Sequence, residues 1–310
     1  MNSNSKPDIE LLAPIARLLD ISLDTLLSFH EKLSDTEIEE IIRKMDRMFS
    51  EEGYEKTYEW ALRLIKEYPN CNMLIWQAAV MLDARRITDK CTNPEKYDKQ
   101  INAWYELALH DENEEIQHHA ADSLFGFYLR KKDYTKAEKY LDYFSEHDPM
   151  KSYYQGRLLQ EQGKIKEAYE KYENVIFSGF STFNFVLSTM AGLALRENDI
   201  GYARFLSGKV QAVAHTLEMG KYNEYSPMLD IVCAGKDVEG TYKVVKHLLD
   251  NVGTMYDFRK SGLYKHMKFR DIDEAILDGV KEKLLERFRN EEEFGYMAGY
   301  EPCLLYTSPS

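Results

Sequence analysis

The stretch KKDYTKAEKYLDYFSEHDP, residues 131–149, sets a pattern that the rest of the chain repeats. An aromatic residue, Tyr134, stands three positions before a small one, Ala137, just past a turn at Lys132-Asp133, and the segment closes on Pro149. The same figure returns in QGKIKEAYEKYENVI around Gly163, Ile165 and Ala168, and in ENDIGYARFLSGKV around Asn198, Ile200 and Ala203. Weaker copies put Tyr54 and Thr57, Tyr97 and Gln100, and Val238 and Thr241 into the same slots. Slot positions 57, 100, 137, 168, 203 and 241 are separated by 43, 37, 31, 35 and 38 residues, a helix–turn–helix period. The loop RRITDKCTNP, 85–94, reads as an insertion that accounts for the longest interval.

A small side chain lets two antiparallel helices approach, the apolar residue before it fills the groove between them, and a Gly, Asp or Asn turn reverses the chain. Trp60, Leu64 and Tyr68 share one helical face, as do Ala137, Tyr140 and Phe144. Over about 36–249 the chain resembles the tetratricopeptide family, although several copies carry Thr or Gln in the small slot and the spacing drifts. The resemblance implies an all-α fold, a superhelix of stacked helix pairs whose inner wall is built from the first helix of each pair. The other reading is an irregular helical domain with chance similarity.

Composition agrees with helices. Gly (16) and Pro (8) are scarce, and 44% hydrophobic with 30% charged residues describes a folded chain rather than a disordered one. At 310 residues there is room for two or three domain-sized units or one elongated array. The 53 acidic against 40 basic side chains, a net charge of −13, argue against nonspecific nucleic-acid binding. No unbroken apolar run of roughly 18 residues is present, so no membrane-spanning helix and no membrane partner are expected. The start, MNSNSKPDIELL, lacks the basic opening and apolar core of a secretory leader. Cys71, Cys91, Cys233 and Cys303 stand far apart, which speaks against a disulfide framework or zinc site and for a cytoplasmic setting.

The N-terminal segment PDIELLAPIARLLDISLDTLLSF, 7–29, follows a different pattern. Leu12, Ile15, Ala16 and Leu19 form an amphipathic stripe, and Ser22 caps a short second helix carrying Leu23, Leu26 and Leu27. Pro14 is expected to kink or delay the first helix. The run Pro7-Asp8-Ile9-Glu10-Leu11-Leu12, then Ile15-Ala16, Leu19, Ile21-Ser22-Leu23-Asp24 and Leu26-Leu27, resembles the last two helices of the Cro/repressor-type helix-turn-helix domain of xenobiotic-response-element-like bacterial regulators. In that family a linker follows, here 28–36, and tetratricopeptide sensor domains are common fusions. The family's first three helices, with the recognition helix, would precede Pro7 by roughly 30 residues. Only six residues stand there, so DNA is expected to be reached only through absent helices; Leu12, Ile15, Leu19 and Leu26 are core positions. The expected division is a remnant at 1–30, repeats at 36–250, a basic segment and capping helix at 251–301, and a non-native tail at 302–310. That tail, PCLLYTSPS, resembles the translated read-through of a sequencing adapter. The capping helix, 273–293, carries Ile276, Val280, Leu284 and Phe288 on one stripe.

Candidate chemistry is thin. His118-His119 and Asp122 lie one helical turn apart but lack a third ligand, so no metal is expected. There is no G-x-S-x-G, no cysteine in a catalytic context and no phosphate-binding glycine loop; Gly156 and Gly163 read as close-packing or turn glycines. The run Glu291-Glu292-Glu293 reads as a solvated helix end. RKSGLYKHMKFR, 259–270, interleaves Tyr264 and Phe269 with basic residues, more simply an electrostatic complement to acidic helices than a nucleic-acid contact. Neither an enzyme nor a cofactor is expected. What remains is a binding groove whose wall, counted back from each small residue, holds His119 and Asp122, then Tyr153, Arg157 and Gln160, then Phe185 and Ser188, then Asn223 and Asp230. Tyr offers flat area with a polar tip, and Arg or Gln can hold carbonyls or a carboxylate. The family resemblance implies a peptide or protein ligand in that groove and is compatible with a homodimer. A stand-alone interaction scaffold with no DNA-binding role is the alternative.

Overall fold

In the computed structural model the described residues are 8–26, 33–88, 91, 93–271 and 274–300. Pro7, Leu27, most of the 28–36 linker, part of the 85–94 loop, Asp273 and the tail 302–310 with Cys303 lie outside them. All regular structure among the described residues is helical and no strand occurs. The chain forms two compact units, Met1–Phe144 and Ser145–Ser310, and the division falls inside the stretch read as one repeat region.

The first unit contains α1 (Ile9–Leu19), α2 (Leu23–Leu26), α3 (Asp35–Glu51), α4 (Tyr54–Glu67), α5 (Asn72–Thr88), α6 (Asp98–Leu109), α7 (Glu114–Arg130) and α8 (Tyr134–Lys139). Asp8 caps α1, Pro14 sits inside it without ending it, and Asp20 closes it in the left-handed conformation. Ala16 is buried and Leu12 and Ile15 are half-buried, but Leu19, read as a core position, is 55% exposed. The reason is that the four-residue α2 covers only one side of the stripe. At α3 a reciprocal cap holds the helix start: Ser34 accepts the Glu37 N–H at 3.3 Å while its own N–H donates to the Glu37 carboxylate at 2.8 Å.

From α3 onward each helix packs on the next, and α5 also packs on both α3 and α7. That places α3, α5 and α7 side by side in one layer, with α4, α6 and α8 forming the other. Ala61, Ala78, Ala108, Ala120 and Ala121 are fully buried, which brings the helix axes close. Tyrosines tie the second layer together: Tyr54 and Tyr58 contact Tyr97 at 4.8 and 4.6 Å, and the Tyr140 hydroxyl donates to Glu106 at 2.6 Å. The slot residues Thr57 and Ala137 are fully buried, and the Thr57 hydroxyl donates to the Gly53 carbonyl at 2.9 Å. Gln100, however, is half-buried and Ile101 occupies the interior. A tighter 3-10 turn, Pro94–Tyr97, runs directly into α6 and moves the inward position one residue along.

The second unit comprises α9 (Pro149–Glu161), α10 (Ile165–Arg196), α11 (Ile200–Thr216), α12 (Lys221–Tyr225), α13 (Leu229–Ala234), α14 (Val238–Asp250), α15 (Glu274–Phe288) and α16 (Glu291–Phe294). Gly163 reverses the chain between α9 and α10 at φ +77°, and Gly156 lets α9 meet α10, since a Cβ there would lie 2.5 Å from the Tyr172 ring. Ala168, Ala203 and Thr241 are buried, as slot residues should be.

Two expectations about this unit are corrected. The repeat pattern calls for a chain reversal between Ala168 and the segment holding Phe185, but α10 runs unbroken for 32 residues. No proline interrupts it, its two glycines, Gly179 and Gly192, cost only about 1 kcal/mol each, and the Ser178 and Thr182 hydroxyls bond back onto the Val175 and Ser178 carbonyls. This helix is also long and apolar enough to cross a membrane by length and composition, which a search for an unbroken apolar run misses because Ser, Thr and Asn punctuate it. The terminal helix read as 273–293 is likewise two helices. Asn290 ends the first and caps the second, accepting the Glu292 N–H at 2.9 Å. Glu291–Glu293 therefore open a helix, where carboxylates face the positive end of its dipole. Ile276 is exposed, while Phe288 joins Phe294, Met297, Leu229, Val245 and Leu248 in the core of this end.

Candidate functional site

On α7 of the first unit, His118 and His119 turn away from each other. The His118 ring stacks on Phe144 at 5.7 Å and the His119 ring on Trp76 of α5 at 4.5 Å, nearly coplanar. The Trp76 indole N–H donates to the Ser123 hydroxyl at 3.0 Å, and that hydroxyl donates to the His119 carbonyl at 3.0 Å. His119 and Asp122 thus border one partly exposed aromatic plate built from neighbouring helices of a single layer, with Asp122 open to solvent. Trp76 and Ser123 escaped sequence reasoning; Trp76 on α5 lies three helices upstream of α8, whose slot residue Ala137 set the groove positions on α7. No group of three His, Cys, Asp or Glu side chains placed to hold a metal occurs among the described residues.

On α9 of the second unit, Tyr153, Arg157 and Gln160 fall at i, i+4 and i+7 and share a face. Tyr153 packs on Tyr172 of α10 at 5.9 Å, and the Tyr172 hydroxyl donates to Gln160 Oε1 at 3.0 Å. The Gln160 amide NH₂ and the Arg157 guanidinium remain as donors beside two tyrosine faces, a surface suited to backbone carbonyls or a carboxylate.

The other four positions are not gathered with these. Phe185 and Ser188 lie on the C-terminal half of α10, Phe185 78% exposed and Ser188 within 3.4 Å of Asn184 Oδ1. Asn223 donates to the Met219 and Met255 carbonyls at 2.6 and 2.8 Å, which locks α12 to the following segment. Asp230 faces Arg287 at 3.3 Å. Asn223 and Asp230 thus serve structural contacts, while Phe185 is exposed.

The ion pairs of Arg259 and Lys260 in the basic segment fall on Asp271 and Asp257, beside or within it, and not on the repeat or capping helices. Tyr264 is 1% exposed and donates to the Leu217 carbonyl at 3.1 Å, and Phe269 packs with Phe177 and Phe258, so both aromatics are core. Buried Glu173 of α10 accepts the backbone N–H groups of His266 and Met267 at 2.8 and 3.0 Å and meets the His266 ring at 2.6 Å. One acidic side chain thereby anchors the whole segment.

Two further features were not foreseen. Buried Asp83 on α5 is held by Arg86 at 2.6 Å, by the Tyr105 hydroxyl at 3.3 Å and by Arg130, and Arg86 continues to the Pro94 carbonyl and to Asp98. In the second unit a cavity of 260 Å³ opens among Tyr242, Val245, Phe288, Phe294, Met297 and Tyr300, mainly apolar but with Thr241, Arg289, Asn290 and Glu291 also in its lining. No model of a known protein family matches the chain, and no curated protein matches it either.

Proposed function

We propose that this chain is the ligand-sensing body of a bacterial helix-turn-helix transcriptional regulator, a cytoplasmic protein without catalytic activity whose tetratricopeptide-like helix pairs hold a peptide or a segment of another protein. The observation that carries the reading is the two-layered stacking of α3–α8, with aromatic and hydrogen-bonding side chains offered from successive helices of one layer. The recognition elements are the Trp76–His119 plate with Asp122, and the face of Tyr153, Arg157 and Gln160. The exposed Ile9, Leu11, Leu18 and Leu23 on α1 and α2 support the regulator part, because two helices of a larger domain leave such a surface uncovered. Ligand binding would act by population shift, favouring one arrangement of the helix pairs and so the spacing of paired DNA-reading heads.

Sequencing the native locus a few hundred bases beyond both ends tests the regulator part. An in-frame recognition helix ahead of Pro7 is the expected result, and a stop codon just before Met1 would overturn it. Titration with a library of short peptides, followed by Trp fluorescence, tests the groove. Binding that His119→Ala and Trp76→Ala abolish is expected, and binding indifferent to both would refute the assignment.

A further inference from the structure

The stretch from Asn174 to Leu195 in α10 contains no charged residue in a chain that is 30% charged. Its inward face, with Leu187, Ala191 and Ala194, packs on Ala203 and Leu206 of α11. Its flank is open. Phe183, Val186, Met190 and Leu193 are 61, 52, 36 and 53% exposed and follow one another at spacings of three, four and three, the seam spacing of a helix made to meet another helix. Across the hairpin, Tyr202 and Phe205 of α11 are also exposed, stack on each other at 6.1 Å, and are extended by Lys209 over the Phe205 ring. At 100° per residue both stripes lie to the same side of the α10–α11 contact, so they join into one apolar strip.

We propose that this strip is the interface through which two copies of the chain associate, α10 against α10 in antiparallel fashion, Phe183 facing the partner's Leu193 and Val186 facing the partner's Met190. Four observations select a second copy as the occupant. The six exposed apolar side chains offer on the order of 500 Å², enough for a standard interface of roughly 800 Å² per partner that is a little over half apolar. The three–four–three spacing of the seam reads the same in both directions, so an antiparallel copy pairs Phe183 with Leu193 and Val186 with Met190 reciprocally, as an isologous two-fold contact does. A chain of net charge −13 tends to repel its copy, and the uncharged stretch from Asn174 to Leu195 is where that repulsion is weakest. The polar side chains nearby, Thr182 and Thr189, already donate to the Ser178 and Phe185 carbonyls at 3.2 and 2.8 Å, so burying them strands no donor. A lipid bilayer would also accept the seam, but not Arg204 and Lys209 on the helix packed beside it.

The inference rests on the regulator reading where that reading calls for paired DNA-reading heads, and its failure is distinguishable from failure of the groove: a monomeric chain would remove this interface and the pairing but leave peptide binding untouched. Sedimentation of the full chain from about 1 to 100 µM should show a mass moving from 36.3 kDa toward twice that value. Val186→Glu and, independently, Phe205→Ser should weaken association at least ~100-fold with circular dichroism unchanged, because each removes apolar area or buries an unpaired charge. Phe185→Glu, on the other side of α10, should leave it intact. A wild-type monomer throughout, or a dimer indifferent to both seam variants, overturns the proposal. Flotation of the monomer with phosphatidylcholine–phosphatidylglycerol vesicles, lost in Val186→Glu, would overturn it in favour of a membrane surface.

Discussion

Replacing Asp83 by Ala should unfold the first unit more readily than any loss of packed volume there would suggest. The carboxylate is 8% exposed and takes two bonds from Arg86, at 2.9 and 2.6 Å, one from the Tyr105 hydroxyl at 3.3 Å and one from Arg130. Its removal has unequal consequences. Arg130, 44% exposed, can turn to water at little cost. Arg86, 5% exposed, keeps Asp98 and the Pro94 carbonyl, so its charge is only partly stranded. The Tyr105 hydroxyl, on a ring 1% exposed, loses its one acceptor, a penalty of about 1–3 kcal/mol. Breaking a buried pair from one side typically costs about 3–5 kcal/mol, and the surviving Asp98 contact places this case near 3. All three tryptophans, Trp60, Trp76 and Trp104, belong to this unit, so urea unfolding followed by Trp fluorescence reports it alone. At a slope of about 2 kcal/mol per molar urea the midpoint should fall by roughly 1.5 M. Asp83→Leu combined with Arg86→Met should recover much of that loss, because neither charge then remains to be desolvated. A midpoint that moves by less than ~0.5 M in Asp83→Ala would show the network to be ornamental and refute the reasoning.

Other consequences are open to measurement. Gly220→Ala places a Cβ 2.1 Å from the Thr254 carbonyl oxygen at φ +92°, and should cost the second unit about 2–4 kcal/mol in a thermal melt. Ala121→Leu, at a fully buried crossing of α7, should cost the first unit about 1–3 kcal/mol by overpacking, read again from Trp fluorescence. Burial holds the His247 imidazole below its ordinary range, Lys221 adds to this, and Asp250 and Glu224 oppose it. Since the unfolded chain takes up the proton first, the stability this ring contributes is full above about pH 6.5 and is lost as pH falls toward the folded value. Melting temperatures should therefore drop over that window in the wild type and less steeply in His247→Phe, and parallel curves would exclude the ring as their source.

The slots 57, 137, 168, 203 and 241 were legible because a small residue three positions after an apolar one has a single mechanical use between packed helices. Gln100 was misread by one residue because a 3-10 turn changes the angular advance without changing the letters. The continuity of α10 was hidden for the opposite reason. Ser178, Gly179, Ser181 and Thr182 look like a loop by composition, yet the hydroxyls of Ser178, Ser181 and Thr182 bond to their own helix and so do not leave it. Asp83 carried no local signal, and Arg86 fell in the stretch read as a loop, although α5 runs on to Thr88. Arg130, which helps to hold Asp83, lies 47 residues away, a separation no local pattern encodes. The groove positions fared according to the helix that carried them. His119 on α7 and the α9 trio lie on helices bounded as the pattern expects, whereas Phe185 and Ser188 were placed by a turn that α10 does not make.

Tyrosine use connects the interior to the open seam. The chain has 22 tyrosines, and several of those between helices end on an oxygen: Tyr54 on the Leu82 carbonyl, Tyr105 on Asp83, Tyr140 on Glu106, Tyr264 on the Leu217 carbonyl. Burial pushes each of these phenols up from its ordinary range, so each remains a neutral donor. A long side chain with a polar tip spans gaps that a degenerate repeat leaves where its small slot varies, and the hydrogen bond at the tip fixes how far apart the helices stand. Between Asn174 and Leu195 that device is absent: there is no tyrosine and no charge. Phenylalanine, valine, methionine and leucine take its place, residues that adapt to a facing apolar surface and gain nothing from water. Tyr202 on the neighbouring helix is the polar-tipped exception, and it stands at the strip's edge, where an interface rim would keep its hydroxyl wet. The strip thus differs in chemistry from these tyrosine-tipped contacts, and matches instead the aliphatic contact of Leu187, Ala191 and Ala194 with Ala203 and Leu206 behind it.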